Sequence, residues 1–272
     1  MKPSTVDDFL LVYRSSFPLN HQDPVANIRA YAEDCGKWVH GTKRRSMDFL
    51  FLVRETSTRR PAGIATVSVY EHCRWGFVSW LAVAEAYRSR GPLRVLWPSI
   101  LERFESFDWV VAVVFELEEA DSVRRDIAHH RLRLFQSAGA RRLDLTYYQP
   151  SLDVSDASRT FERMHLMLLP LPGRMLTNKL SLSYAEALNL LDFVYMEFYR
   201  DTYIGQPIFE AYEQHVATLR DRVVTSLRSG RPVSLSTVPL PRPKMPEVFI
   251  SQRTVDLAYR IHDRHKGDTR SF

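Results

Sequence analysis

A mixed α/β fold with a C-terminal α-helical extension is predicted by three observations. Three short extended runs, 48–55, 63–70 and 76–83, follow one another across short loops, as in an antiparallel meander. After Pro92 the apolar period changes from two to about 3.6, before a continuous β-branched run at 109–118. Beyond residue 171 the strand-like pattern gives way to two long amphipathic stripes.

The first element is a helix from Ser4 to Ser16, capped by Ser4 or Thr5, carrying Asp7 and Asp8 in its first turn and stopped at Phe17-Pro18. Asn27 to Asp34 reads as a second helix. The runs DFLFLVRE, GIATVSVY and GFVSWLAV are then the three strands, with STRRPAG as turn material. From Pro92, the residues Leu93, Leu96, Trp97, Ile100, Leu101 and Phe104 form one helical stripe. Pro92 suits the first helical position, whereas Pro98 removes a hydrogen bond and should kink the helix. WVVAVVFELE (109–118) has the character of a strand buried on both faces. Asp121 or Ser122 caps the next helix, and Gly139 ends it. RRLDLTYYQP and ERMHLMLLP are strand candidates for a closing hairpin.

The boundary near 171 divides the chain into a first domain (1–170), a helical extension (171–230) and a Pro-rich basic tail (231–272) with a short element near 249–260. In the extension, Ser183 and Glu186 form a capping box ahead of Ala187, Leu190, Leu191, Val194 and Phe198. A second stripe after Pro207 runs through Ile208, Tyr212, Val216, Leu219, Val223 and Leu227. Two such helices cannot stand alone, so they pack on the first domain, closing over its cleft, or mediate a homodimer.

A net charge of +5 favours anionic partners without naming one. Cys35 and Cys73 are too few for a disulfide framework and lack the spacing of a metal or redox pair. No apolar run approaches the ~18 to 20 residues of a membrane span, so a soluble, cytoplasmic protein is expected. HExxH, GxSxG, GxxxxGK[ST] and GxGxxG are all absent, which removes the simple zincin, hydrolase, P-loop and Rossmann readings. His129 and His130 are adjacent on a helix and diverge by about 100°, so they do not share a metal.

The stretch AYRSRGPLRVLW carries the chemistry. Its loop and first-turn amides, beside Arg88, Arg90 and Arg94, form either an anion site or an ordinary strand-to-helix turn with solvated arginines. Glu116 and Glu118 alternate along an otherwise apolar strand near its C-terminal end, as candidate bases or as a solvated strand end.

SWLAVAEAYRSRGPLRVLW resembles the acetyl-CoA motif of the GNAT (GCN5-related N-acetyltransferase) superfamily, a strand followed by R/Q-x-x-G-x-G/A and a helix. Arg88 and Gly91 match, and Leu93 replaces the last Gly or Ala. The resemblance extends over residues 4 to 170. It implies a mostly antiparallel sheet with a V-shaped splay between two central strands, helices on both faces, and acetyl-CoA (CoA) as cofactor. It implies cofactor contacts at Leu81, Ala82, Val83, Arg88, Ser89, Arg90, Gly91, Leu93 and Arg94, with the Val83 amide polarising the thioester carbonyl. It also implies an acyl-CoA-dependent N-acyltransferase in which a primary amine, on a small molecule or a peptide, attacks the thioester directly. No nucleic acid, membrane or metal is called for. The family's usual general-acid tyrosine aligns with Phe135, so solvent, Tyr147 or Tyr148 protonates the thiolate, and Tyr148 is the candidate alongside Glu116 and Glu118. The same departures, Pro92, Leu93 and Phe135, support an alternative, a catalytically weak CoA-binding or protein-interaction module.

Overall fold

The computed structural model describes residues 3–18, 22–41, 43–119, 125–150, 152, 161–174, 176, 180–204, 208–227 and 230–237. Two helices, α1 (Pro3–Ser16) and α2 (Val25–Glu33), precede a short strand β1 (Val39–His40) and three long ones, β2 (Arg45–Arg54), β3 (Pro61–Tyr70) and β4 (Trp75–Val83). These four pair antiparallel in sequence order. The meander read from the three apolar runs is therefore present.

Helix α3 (Pro92–Glu105) then crosses over to β5 (Ala112–Glu118), which lies parallel to β4. A parallel neighbour requires such a crossover, because the chain must return to the starting edge. Pro92 occupies the first position of α3, and the helix continues through the exposed Pro98 to Glu105. The helix lies close on the sheet because β4 carries Gly76 beneath it, where a Cβ would stand 2.2 Å from the Phe104 ring.

Helix α4 (Arg125–Ser137) ends at Gly139 with φ +96°, and the Gly139 and Ala140 amides bond back to the Gln136 and Phe135 carbonyls. The residues expected to cap its start, Asp121 and Ser122, lie outside the described residues, as does the element anticipated near 249–260. The run RRLDLTYYQP divides into β6 (Arg141–Leu143) and β7 (Tyr147–Pro150), which pair with different parts of β8 (Phe161–Pro170).

Two further short strands come from beyond residue 171. Strand β9 (Ser181–Leu182) pairs with β10 (Val233–Ser236), and β10 pairs with β6, so the sheet order is β1-β2-β3-β4-β5-β8-β6-β10-β9 with β7 also on β8. Residues 233–236, which read as the start of a tail, are thus a strand of the main sheet.

The sheet buries a core on each face. Helices α3 and α4 cover one, around Leu96, Phe104, Val113, Phe115, Leu132 and Phe135. On the other, α1 and α2 are joined by the C-terminal helices α5 (Tyr184–Phe193) and α6 (Phe209–Ser226). Helix α5 starts at the capping box read from sequence: Ser183 Oγ accepts from the Glu186 amide at 3.2 Å, and Glu186 accepts from the Ser183 amide at 3.0 Å. The extension is seated by Trp75 on β4, whose indole N–H donates to Asn189 at 2.8 Å, and by Phe198 stacked on Phe77 at 3.9 Å. It therefore packs on the first domain's sheet, and residues 194–199, linking α5 towards α6, form a π-helical turn.

Candidate active site

Strands β4 and β5 pair only from Trp75–Ala112 to Val78–Phe115, although β4 runs on to Val83 and β5 to Glu118. Beyond Val78 they part, leaving a V-shaped opening. The β3–β4 register shifts at Thr66/Val67, leaving Ser79 as an extra residue at the same level. The Ala84 amide bonds across to the Ala62 carbonyl, so by strand alternation the Val83 and Leu81 amides turn towards the opening.

The loop after β4 is a 3-10 turn at Glu85–Tyr87, then Ser89 and Gly91 in left-handed conformations at φ +62° and +94°. The turn uses the Tyr87, Arg88 and Arg90 amides internally, and the Arg94 amide bonds the Gly91 carbonyl at 2.9 Å. The Ser89 and Gly91 amides donate to no group among the described residues. With the Leu93 amide in the first turn of α3, they form a donor cluster beside the exposed Arg88, Arg90 and Arg94. Pro92 contributes no donor. The group that the resemblance implies fits these residues: an anion would meet free amides at the positive end of a helix, with three arginines around it.

At the other side of the opening, Glu116 turns to the layer of the C-terminal helices. Its carboxylate accepts hydrogen bonds from the Tyr147 hydroxyl on β7, from Gln149 Nε2 at 2.9 Å, and from the Tyr199 hydroxyl of the π-helical turn at 2.8 and 2.6 Å. Burial pushes its pKa up to about 7, against the two tyrosine hydrogen bonds that pull it down. A carboxyl group titrating there is matched to proton transfer near neutrality.

Glu116 also lines a cavity of about 290 Å³, walled by Asp23, Asp48, Trp80, Phe198, Asp201 and residues of β3 and β4. The extension thus closes over the cleft. None of the residues from Leu81 to Arg94 lines this cavity.

The other candidates fall elsewhere. Glu118 does not line the cavity and pairs with Arg131 of α4 at 2.9 Å. The Tyr148 ring packs against Phe161 and lies 4.6 Å from the Arg222 guanidinium, on the opposite side of β7 from Tyr147. It does not meet Glu116. Phe135 is 8% exposed and packs between Trp97 and Phe115 at 5.0 and 4.8 Å, on the α3–α4 side of the sheet. Tyr199 and Gln149 were not singled out by the sequence reading. The available signal was the spacing Tyr195, Tyr199, Tyr203, which repeats every four residues along one helical face. All three are buried, and their hydroxyls donate to the Tyr148 carbonyl, Glu116 and the Leu152 carbonyl in turn. Among the described residues no group of three or more His, Cys, Asp or Glu is arranged to hold a metal ion, and no helix is long and apolar enough to cross a membrane.

The antiparallel meander, the crossover into one parallel pair, the bulge and the splay together define the architecture. This is the mostly antiparallel, splayed sheet that the resemblance implies. No protein-family model matches the chain, and no curated protein matches it. Among solved structures it is similar to a Bacteroides thetaiotaomicron protein assigned to the GNAT family of acetyltransferases, at 18% identity over 72% of this chain and 95% of that one, TM-score 0.46. It is also similar to the Escherichia coli ribosomal-protein-S18-alanine N-acetyltransferase, at 15% identity over 65% and 95% of the chains, TM-score 0.40. A third is Arabidopsis thaliana NAA60 in complex with acetyl-CoA, at 12% identity over 64% and 97%, TM-score 0.43.

Proposed function

We propose that this chain is an acyl-CoA-dependent N-acyltransferase that acylates a primary amine within a ternary complex, with Glu116 as the general base. The observation that carries this reading is the position of Glu116, one residue past the last β4–β5 pair and in the wall of an acidic cavity.

An acyl thioester supplies the electrophilic carbonyl, and Leu81, Ala82, Val83, Arg88 through Gly91, Leu93 and Arg94 are the residues that would hold it. Ser89 and Gly91 offer free amides to phosphate oxygens, and the arginines offer charge. The Val83 amide, turned into the opening, is the donor for developing negative charge on the carbonyl oxygen.

Glu116 takes a proton from the incoming ammonium. Tyr147, Tyr199 and Gln149 hold the carboxylate in one orientation, and the two tyrosines keep its pKa from rising further. Over the cycle an ammonium and an acyl thioester become an amide, a thiol and one released proton, the C–S bond breaking as the C–N bond forms. With Phe135 in the core and Tyr148 turned away, the groups nearest Glu116 that can pass a proton on are the Tyr199 and Tyr147 hydroxyls. Burial raises both above the ordinary tyrosine range, which keeps them protonated and able to donate.

The test is thiol release from acetyl-CoA with a panel of primary amines, beside a melting curve of the full chain with CoA. Amine-dependent thiol release and a CoA-dependent rise in melting temperature support the reading. A melting temperature that saturating CoA leaves unmoved overturns it. CoA binding without thiol release on any amine would support instead the CoA-binding module to which Pro92 and Leu93 point.

A further inference from the structure

The protein carries a net positive charge, yet the wall of the cavity beside Glu116 is acidic. Asp23, Asp34, Asp48, Glu116 and Asp201 line it; among the described residues no lysine or arginine does, and His40 is the single basic group in the wall. Asp34 is paired with Lys37 at 3.2 Å. Asp23, Asp48 and Glu116 have no ion-pair partner among the described residues. Concentrating carboxylates in a part-buried space is unfavourable unless they take up protons or a group of opposite charge enters.

Two buried polar groups in the wall have capacity to spare. Asp23 is 6% exposed; its Oδ2 accepts from the Trp80 indole N–H at 3.3 Å, while its Oδ1 has no partner among the described residues. Thr66, 2% exposed, has a hydroxyl with no partner among the described residues. Asp48 accepts from the Ser68 hydroxyl at 2.6 Å. Burial first, then the neighbouring carboxylates, Asp48 on Asp23 and Asp201 on Asp48, push Asp23 and Asp48 up to about 7 and about 6.

The arrangement does not suit a metal ion, because no group of three or more ligating side chains converges among the described residues. Separated carboxylates suit charges that are themselves separated along a chain. Aromatic walls from Tyr31, Tyr70, Phe77, Trp80 and Phe198 suit both methylene groups and ammonium faces. A volume of about 290 Å³ is at the small end of ligand pockets, which run from roughly 300 Å³ upwards. A peptide N-terminus or a lysine side chain would bring one ammonium and leave the remaining carboxylates unanswered.

We propose that the acceptor is a small aliphatic polyamine with more than one cationic nitrogen, one nitrogen lying at Glu116 and the others held by Asp23, Asp48 and Asp201 against the aromatic wall. The role given to Glu116 rests on the acyltransferase reading. The cation site itself does not.

The test is isothermal titration calorimetry of the full chain with spermidine and with butylamine, with and without CoA, for the wild type, Asp48→Asn and Asp23→Asn. Both substitutions keep the acceptor oxygen used by Ser68 or Trp80, and circular dichroism and melting curves establish that each variant is folded. Spermidine binds at least about tenfold more tightly than butylamine, each substitution weakens spermidine about tenfold, and added salt weakens it further. Equal affinity for the two amines, no spermidine binding, or folded variants that both bind as the wild type does would each overturn the proposal. Aspartate-dependent spermidine binding in a chain that fails to bind CoA would keep the cation site and defeat the acyltransferase reading. Thiol release equally fast with butylamine and spermidine, in a chain that binds CoA, would do the reverse.

Discussion

The Tyr199 hydroxyl stands 2.8 and 2.6 Å from the two carboxylate oxygens of Glu116, joining the C-terminal extension to the strand that opens away from β4. A carboxylate on β5 and a hydroxyl 83 residues further on are thereby one unit. The extension is part of the site as well as its cover.

Replacing Glu116 tests the centre of the proposed mechanism. Glu116→Gln keeps the shape and the hydrogen bond to Gln149 but accepts no proton. The turnover number falls by at least about 100-fold, and CoA affinity, measured by calorimetry, stays within experimental error. A rate unchanged across pH would mean that another group takes the proton.

Tyr199→Phe separates positioning from packing. The Tyr199 hydrogen bond lowers the Glu116 pKa, so its removal lets burial raise that value beyond about 7. The acidic limb of kcat/KM against pH moves to higher pH. Tyr203→Phe removes a hydroxyl that donates to the Leu152 carbonyl at 2.7 Å. It costs about 1 kcal/mol in stability and leaves the profile where it was.

Gly91 sits at φ +94°, where a side chain is strained, and its Cβ would lie 3.9 Å from Arg94 Cδ, an ordinary contact. Gly91→Glu therefore brings a carboxylate to the amide cluster. The rise in melting temperature with CoA disappears, while spermidine binding persists.

Restoring the usual tyrosine does not restore a general acid. In Phe135→Tyr the new hydroxyl enters the core between Trp97 and Phe115, on the α3–α4 face. Thiol release is not accelerated, and urea denaturation shows a loss of about 1 to 3 kcal/mol from a buried hydroxyl without a partner.

The acidic cavity also makes stability depend on pH. Asp48 holds its proton more tightly in the folded chain than in the unfolded one, at about 6 against 3.8. Its contribution is most favourable below the unfolded value and is lost as pH rises between the two. Asp48→Asn removes that dependence, so its melting temperature relative to the wild type increases from pH 4 to pH 7. Spermidine, by neutralising the same carboxylate, narrows the difference at the upper end.

Much of this was legible along the chain. The strands at 48–55, 63–70 and 76–83, the helix opening at Pro92, the Ser183–Glu186 box and the Gly139 stop all depend on short-range patterns, and all stand where those patterns put them. Glu116 stood out because a carboxylate is conspicuous among Val, Ala and Phe. Its partners did not, because Tyr147, Gln149 and Tyr199 meet it across 31, 33 and 83 residues, and no local pattern records such a meeting. The sequence reading puts Tyr148 forward, but strand alternation on β7 turns Tyr147 to Glu116 and Tyr148 to Arg222. The strands 181–182 and 233–236 are too short for their own periodicity to reveal them; β10 owes its place to an edge that β6 leaves open. The sequence by itself determined the periodic elements and the amide-rich loop, since both are written in neighbouring residues. Only the tertiary structure decided which acids face one cavity and which tyrosines hold Glu116, since burial and charge around a side chain come from whatever the fold brings beside it.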